Sequence, residues 1–297
     1  MCPYCQAEKK FIKKRGFFTK KTTRAQRIQR FFCHKCRRSF STQTGRLSYR
    51  EKKPHENQVL YRLLCSGVSQ SRIAVILNIS RVTVARKIIK LARYARRDQR
   101  LWLEKFELTE ELQFDEMETF EHSKCKPVSI AIAVNPENRA IIGVHANTMP
   151  AKGHLAKISR RKYGPRPDRR KRGVRIVMES MRTKFHEPLR IKSDKKAAYR
   201  PFVREYFKTS DHVVTKGRRG CVVGQGELKN TSNDPLFMLN HSCAMVRDNL
   251  KTMSRRTWCT VKKICRIQDL LDLYVHFHNA FVVFKMRSPR VCGDPLM

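Results

Sequence analysis

The sequence is short of acidic residues and of long apolar runs. Asp plus Glu number 25 against 65 Lys plus Arg, a formal net charge of +40. A soluble chain seldom keeps so much unbalanced charge without a polyanion to meet it, and nucleic acid is the obvious one. The longest apolar runs, such as Ile130 to Val134, are strand-sized. A spanning helix needs roughly 20 residues, so a membrane role is set aside. No lipidation motif, internal repeat or signal peptide is visible, because Met1 is followed at once by Cys2-Pro3-Tyr4-Cys5. The eleven cysteines are therefore expected in a reducing compartment, where metal binding outweighs disulfide formation.

A chain of 297 residues predicts two or three domains. Residues 1–50 are short, basic and cysteine-paired. Lys52-Lys53-Pro54 reads as a linker. Residues 51–100 form a second zone, with helical periodicity over 56–97. Residues 107–284 form a third, strand-like first and helical later. Within it, residues 152–173 read as a basic loop holding Gly153, Gly164, Pro165 and Pro167. The tail, residues 285–297, lacks periodicity and is expected to be disordered.

Cys2-x-x-Cys5 and Cys33-x-x-Cys36 are separated by 27 residues. Four thiolates complete a closed tetrahedral zinc site, and the metal supplies folding energy that so short and basic a segment lacks. Gln29 to Phe32 and Arg37 to Phe40 read as strands around the second pair. The pattern is that of a zinc ribbon. His34 lies inside the second pair, but the spacing favours the four cysteines. Cys65, Cys125, Cys221, Cys243, Cys259, Cys265 and Cys292 show no such pairing and read as core or surface residues.

Residues 56–97 read as three helices joined by two turns. Val59, Leu60, Leu63 and Leu64 give the first apolar stripe, and Ile73, Ala74, Ile76 and Leu77 the second. Ser69 and Ser80 are placed as N-caps. The third helix turns Val84, Ile88 and Leu91 inward and carries Arg81, Thr83, Arg86, Lys87 and Lys90 on its polar face. A helix-turn-helix offers such a face to the major groove of double-stranded DNA. The competing reading is a plain three-helix bundle with a solvated basic face.

In the third zone the predicted strands are Leu112 to Phe120, Val128 to Val134, Ala140 to Met149, Leu189 to Asp194 and His212 to Thr215. Predicted helices are Val174 to Phe185, Lys196 to Phe207, Leu236 to Met253 and Ile267 to Phe281. Three strands, helix, strand, helix, strand, helix is the order of an α/β ribonuclease H-like domain with a mixed five-stranded sheet. It puts Asp115 on the first strand and Asp194 at the end of its neighbour. Phosphoryl transfer by two divalent ions, roughly 3.5–4 Å apart, needs carboxylates placed in this way. Magnesium, or manganese in its place, takes carboxylate oxygens and keeps water in the rest of its shell.

Three segments then carry a resemblance: Phe114-Asp115-Glu116, Lys192-Ser193-Asp194 running on to Tyr199, and Leu239-Asn240 running on to Arg247 and to Arg255-Arg256-Thr257. The chain resembles the aspartate-aspartate-glutamate (DDE) transposases of bacterial insertion sequences, most closely the compact class with an N-terminal zinc ribbon and helix-turn-helix. The resemblance implies magnesium-dependent DNA transposition, element ends and target DNA as partners, a homo-oligomer, and a cytoplasmic, nucleoid-associated location. In that family a glutamate stands on the late helix with an arginine two turns on. The matching residues here are Asn240 and Arg247. Asparagine offers a carbonyl oxygen but no charge. Glu227 is the second choice for a third ligand, with Glu116 and Asp248 as further acids; Glu116 is expected on the strand face opposite Asp115. The other reading is a DNA-binding protein that has lost its chemistry, and a structure-selective nuclease is a third.

Residues 157–172 hold nine Lys or Arg and one acid, Asp168. Lys195, Lys196, Arg218 and Arg219 flank the carboxylates, and Arg255, Arg256, Lys262 and Lys263 extend the basic surface. Such side chains supply phosphate contacts, which give affinity without sequence information. Trp258 reads as a core or interface aromatic.

Overall fold

A computed structural model describes residues 1–20, 26–46, 48–49, 51–104, 109–183, 185–215 and 234–285. Glu227, Arg218, Arg219, Cys221, Cys292 and the tail lie outside the described residues. The chain divides into two compact units, one over residues 1–57 and one beginning at residue 58.

In the first unit β1 (Ile12–Lys20), β2 (Gln26–Cys33) and β3 (Arg38–Ser41) form an antiparallel sheet in that order. β1 is an addition to the sequence reading. Its run Ile-Lys-Lys-Arg-Gly-Phe-Phe-Thr-Lys lacks the alternation of a half-buried strand, and backbone pairing with β2 holds it instead. The register slips between Lys14 and Phe17, where Gly16 takes a positive φ of 68°. The buried cluster here is Cys2, Ala7 and Cys33, with Cys5, Ile12, Cys36 and Phe40 packed against it. Four of these seven side chains are thiols, so apolar burial alone does not hold the sheet.

The second unit opens with α1 (Glu56–Cys65), α2 (Gln70–Ile76) and α3 (Arg81–Leu103). The Ser69 hydroxyl accepts from the Arg72 amide at 3.4 Å and the Ser80 hydroxyl from the Thr83 amide at 3.1 Å, so both predicted caps form. Val84, Ile88 and Leu91 are buried. Val59 and Ile76, expected inside, are exposed. α1 instead buries Leu60, Tyr61, Leu64 and Cys65, and α2 spans only two turns and turns Ile73 and Ala74 inward. α3 runs six residues past the predicted segment and packs along α8 (Ile264–His278). Arg96 reaches Asp272 at 2.5 Å and Asp269 at 3.4 Å. His276, fully buried, lies 2.8 Å from the Tyr61 hydroxyl through Nδ1 and 2.9 Å from Asp98 through Nε2, with Trp102 stacked on it at 4.4 Å. The three helices are therefore bonded into the same body as the sheet.

That sheet holds β4 (Glu111–Phe120), β5 (Pro127–Val134), β6 (Ile141–Thr148), β7 (Arg190–Asp194) and β8 (Asp211–Thr215) in the order β6-β5-β4-β7-β8. β4 to β6 form an antiparallel meander; β7 is parallel to β4 and β8 parallel to β7. α5 (Arg170–Arg182) and α6 (Arg200–Tyr206) cover one face, packing Val174, Val177, Met178 and Phe202 on Leu112, Phe114 and Ile191. α7 (Phe237–Asn249) lies on the other face, where its Leu239 amide donates to Gln113 Oε1 at 3.1 Å. The outer edge of β6 is closed by side chains. Asn279 accepts from the Ile141 amide and donates to the Ile141 carbonyl, both at 2.9 Å. Gln268 accepts from the Ala146 amide at 2.8 Å and donates to the Val144 carbonyl at 3.3 Å.

The expected basic loop over residues 152–173 contains α4 (Leu155–Tyr163) and the start of α5. The run Leu-Ala-Lys-Ile-Ser-Arg-Arg-Lys-Tyr has good helix formers, and Gly164 ends it at a φ of 73°. Nor is all of its charge solvated: Arg166 is largely buried, bonding Glu121 at 2.8 Å and the Met149 carbonyl at 3.1 Å.

Replacing His276 by Phe keeps the ring volume but leaves the Tyr61 hydroxyl and Asp98 without their partner. Stability should fall by about 2–3 kcal/mol in urea or thermal denaturation. An unchanged midpoint would show that the buried histidine does not hold the helices to α8.

Candidate functional site

Two groups of side chains stand out, and one of them, among the described residues, has the makeup and spacing to hold a metal. In the first unit the ligand atoms of Cys2, Cys5, Cys33 and Cys36 lie within 4.8 Å of one another. The Cys2–Cys36 and Cys5–Cys33 sulfur pairs are each 3.7 Å apart. A Zn–S bond of about 2.3 Å in a tetrahedron puts sulfurs about 3.8 Å apart. The four thiols thus fit a tetrahedral soft metal such as zinc. His34 stays outside the group, and its ring packs edge-on against Phe32 at 5.2 Å.

The second group is built by the five-stranded sheet. Phe114 pairs with Ser193 in the parallel β4–β7 register, so Asp115 and Asp194 follow one another on adjoining strands. Leu112, Phe114 and Ile191 belong to the core under α5 and α6. Alternation therefore turns Gln113, Asp115, Lys192 and Asp194 to the face that α7 covers. Lys192 pairs with Glu111 on that face at 2.7 Å. Burial pushes the Asp115 carboxyl up to about 6. The Glu116 amide, 2.6 Å from Oδ1, works against this, the charge of Asp194 adds to it, and Tyr199 and Lys196 oppose it. The two carboxylates thus stand as neighbours, and the proton is held more firmly on Asp115 than on a free carboxyl.

A side chain to which sequence reasoning gave no role, Tyr199, supports Asp115. The Tyr199 hydroxyl donates to Asp115 Oδ1 at 3.2 Å and to Glu116 Oε2 at 3.1 Å. Lys196 pairs with Glu116, and the Ser129 hydroxyl donates to Glu116 Oε1 at 2.6 Å. Glu116 and Lys196 are thus committed to each other, and Lys195 is the exposed cation of the pair Lys195-Lys196. The only signal for Tyr199 was its place five residues after Asp194. Gln113 anchors α7 by bonding the Leu239 amide and, at 3.1 Å, the Pro235 carbonyl.

Asn240 stands on the first turn of α7, exposed, and its amide donates to Asp234 Oδ2 at 3.0 Å. The α7 side chain that feels Asp115 is Cys243, one turn on. Burial first, then the Asp115 charge, pushes its thiol up to about 12. Arg247 and Asp248 are exposed. Among the described residues no third His, Cys, Asp or Glu closes a cluster with Asp115 and Asp194.

At the start of α3, Arg81 and Arg86 are exposed, Lys90 is half-buried, and Thr83 is tied to Ser80 by a hydroxyl contact of 2.9 Å. Lys87 departs from the expected polar face and is only 3% exposed. It lies three residues after Val84 and four before Leu91, which puts it on the inward side of the helix. Trp258 is not a core residue, one of the two places expected for it: it is 79% exposed, on the turn Thr257–Cys259.

No family model matches the chain, and no curated protein matches it. Among solved structures the chain is similar to one in the crystal structure of a pre-cleavage Mos1 transpososome. Identity is 11%, 77% of each chain is covered and the TM-score is 0.26. A likeness at that level carries no argument for this chain.

Zinc content should be about one per chain, and Cys33→Ser should abolish it together with the protease resistance of residues 1–57. Full resistance without metal would discard the site. For Asp115 the folded carboxyl holds its proton more tightly than the unfolded one. Its contribution to stability is complete below about 3.8 and is lost as pH rises through about 6. In metal-free protein at pH 7.5, Asp115→Asn should therefore stabilise by on the order of 2 kcal/mol, shrinking toward zero at pH 4. Magnesium should raise the melting temperature of wild type but not of the variant. A destabilised variant at pH 7.5 would count against the buried, metal-ready carboxylate.

Proposed function

We propose that the chain is a DNA transposase of the ribonuclease H-like kind, binding the ends of a mobile element and cutting and joining phosphodiester bonds with divalent metal. The observation that carries the reading is the pair Asp115 and Asp194, side by side on parallel neighbours of a five-stranded sheet and turned to one face. The strand order supports it, as do the net charge of +40 and the motif segments named from the sequence.

Each part of the chain has a task in this reading. Asp115 and Asp194 hold magnesium or manganese, and Tyr199 fixes the Asp115 carboxylate in place. The bound ions would activate the attacking oxygen and stabilise the leaving one. Asn240 is the third ligand by its place on α7, with Glu227 as second choice, and it would have to give up Asp234 to serve. The zinc ribbon of residues 1–50 and the helix-turn-helix of residues 51–100 recognise the element's ends, the latter through Arg81, Thr83, Arg86 and Lys90. Lys195 and Arg247 contact the backbone. Residues 107–284 form the catalytic domain. Two ends must be held together for strand transfer, so the working form is a homo-oligomer, acting in the cytoplasm on nucleoid DNA.

A second reading is a DNA-binding protein that has lost its chemistry. The exposed Asn240, bonded away to Asp234, favours it.

The test is a magnesium- or manganese-dependent nicking assay on DNA carrying the gene's flanking sequences. Wild type should cut at a defined end. Asp194→Ala should lose at least about a thousandfold in rate, the scale of a lost metal or charge-stabilising group, and keep its affinity for the end. Cutting that survives the substitution removes the site. Specific binding without cutting by either protein selects the second reading.

A further inference from the structure

Segment 250–263, between α7 and α8, is pinned at three points. The His122 amide donates to the Val261 carbonyl at 2.9 Å, the Thr260 hydroxyl to the His122 carbonyl at 3.3 Å, and the Thr119 hydroxyl to the Thr252 carbonyl at 3.4 Å. This anchored segment nevertheless holds Trp258 out to solvent, 79% exposed. An indole is among the largest apolar surfaces a protein can bury, and leaving one in water on a bonded segment gives up that gain.

Beneath Trp258 lies a groove of about 520 Å³, running between this segment and the starts of α2 and α3. Its volume is in the range of sites that enclose a small molecule. Ile88, Leu250 and Leu270 give it an apolar floor, and Arg81, Lys251 and Lys262 stand along it. No Asp or Glu is among the described residues that line it. Arg266, also in the wall, is taken up by Asp269 at 2.5 Å. Arg256 adds a further cation 5.9 Å from the indole centroid.

An apolar protein partner would leave three cations facing its surface. A phosphate track along duplex DNA would use the cations but not the indole or the apolar floor. A nucleotide with its base free of the stack uses all three: the base face on the indole, its body over the floor, its phosphates on the cations.

We propose that this groove takes an unpaired nucleic-acid base, stacked on Trp258, with the adjoining phosphates on Arg81, Lys251 and Lys262. The proposal rests on the DNA-acting reading above but needs no cleavage. It adds a single-strand site next to the start of α3, which the sequence assigned to duplex.

The test uses the full-length chain without divalent ions, a labelled single-stranded oligodeoxythymidine of about ten nucleotides, and a duplex of the same length. Trp258→Ala should weaken single-strand binding by roughly tenfold or more, and Trp258→Phe should restore part of it. Duplex binding should stay the same in both. Single-strand binding should quench indole emission in wild type and not in Trp258→Ala, where Trp102 remains. Because Trp258 lies outside the core, these variants should melt as wild type does. Unchanged single-strand affinity, or equal losses for single strand and duplex, would overturn the proposal. So would a shift in sedimentation without a change in binding, which would assign the indole to self-association. Repeating the measurement in Asp194→Ala separates the two readings: stacking should persist there whatever becomes of nicking.

Discussion

Parallel pairing of β4 with β7 obliges the chain to leave β4 and return to the same end of the sheet before it can lay down β7. A parallel neighbour cannot be reached by a tight turn and needs a long crossover. Here the crossover holds β5, β6, α4 and α5, and α5 supplies much of the core on the face it covers. The pairing brings into one register two aspartates that are 79 positions apart in the chain. Placing α5 and α6 on one face leaves the other to α7, so the carboxylates meet a helix that brings polar and thiol groups. Without that one strand pairing, neither the neighbourhood of Asp115 nor the role of Tyr199 would exist.

Charge is handled differently in different parts of the molecule. Acids are scarce, and the structure spends several of them on internal bonds: Glu121 on Arg166, Glu116 on Lys196, Asp269 and Asp272 on Arg96. Few are left to offset the surface. Much of the excess positive charge therefore lies at the surface, and on the DNA-binding reading proposed above binding should weaken steeply with salt.

Much of the large sheet was legible because β5 is an apolar run joined to β6 by a clear turn and the other strands lie close to the expected bounds. Asp115 and Asp194 could be singled out because strand order alone makes them neighbours. β1 was not legible, since its side chains are nearly all polar or exposed and its reason for being a strand lies in β2. α4 was hidden by glycine and proline at either side of it. Lys87 and Trp258 were misjudged for a common reason: residue type was weighed above position. A lysine was expected outside and a tryptophan in the core or at an interface, whereas helix phase buries the one and an anchored turn takes the other out of the core. The buried bonds of His276 and the supporting contacts of Tyr199 join residues far apart in sequence, and no local pattern announces them.

α8 carries more than its own burial. The same helix engages α3 through Asp269, Asp272 and His276, the last by way of Asp98, and closes the edge of β6 through Gln268, with Asn279 following at its end. The C-terminal half of α3 and the edge strand β6 are thus fastened to the same helix. On the reading proposed above, the molecule behaves as a ruler. Of the spacing between where it reads DNA and where it breaks a strand, the part that lies between α3 and the sheet is set within one compact unit by side-chain bonds to α8. The cut should then fall a constant number of base pairs from the stretch that α3 contacts.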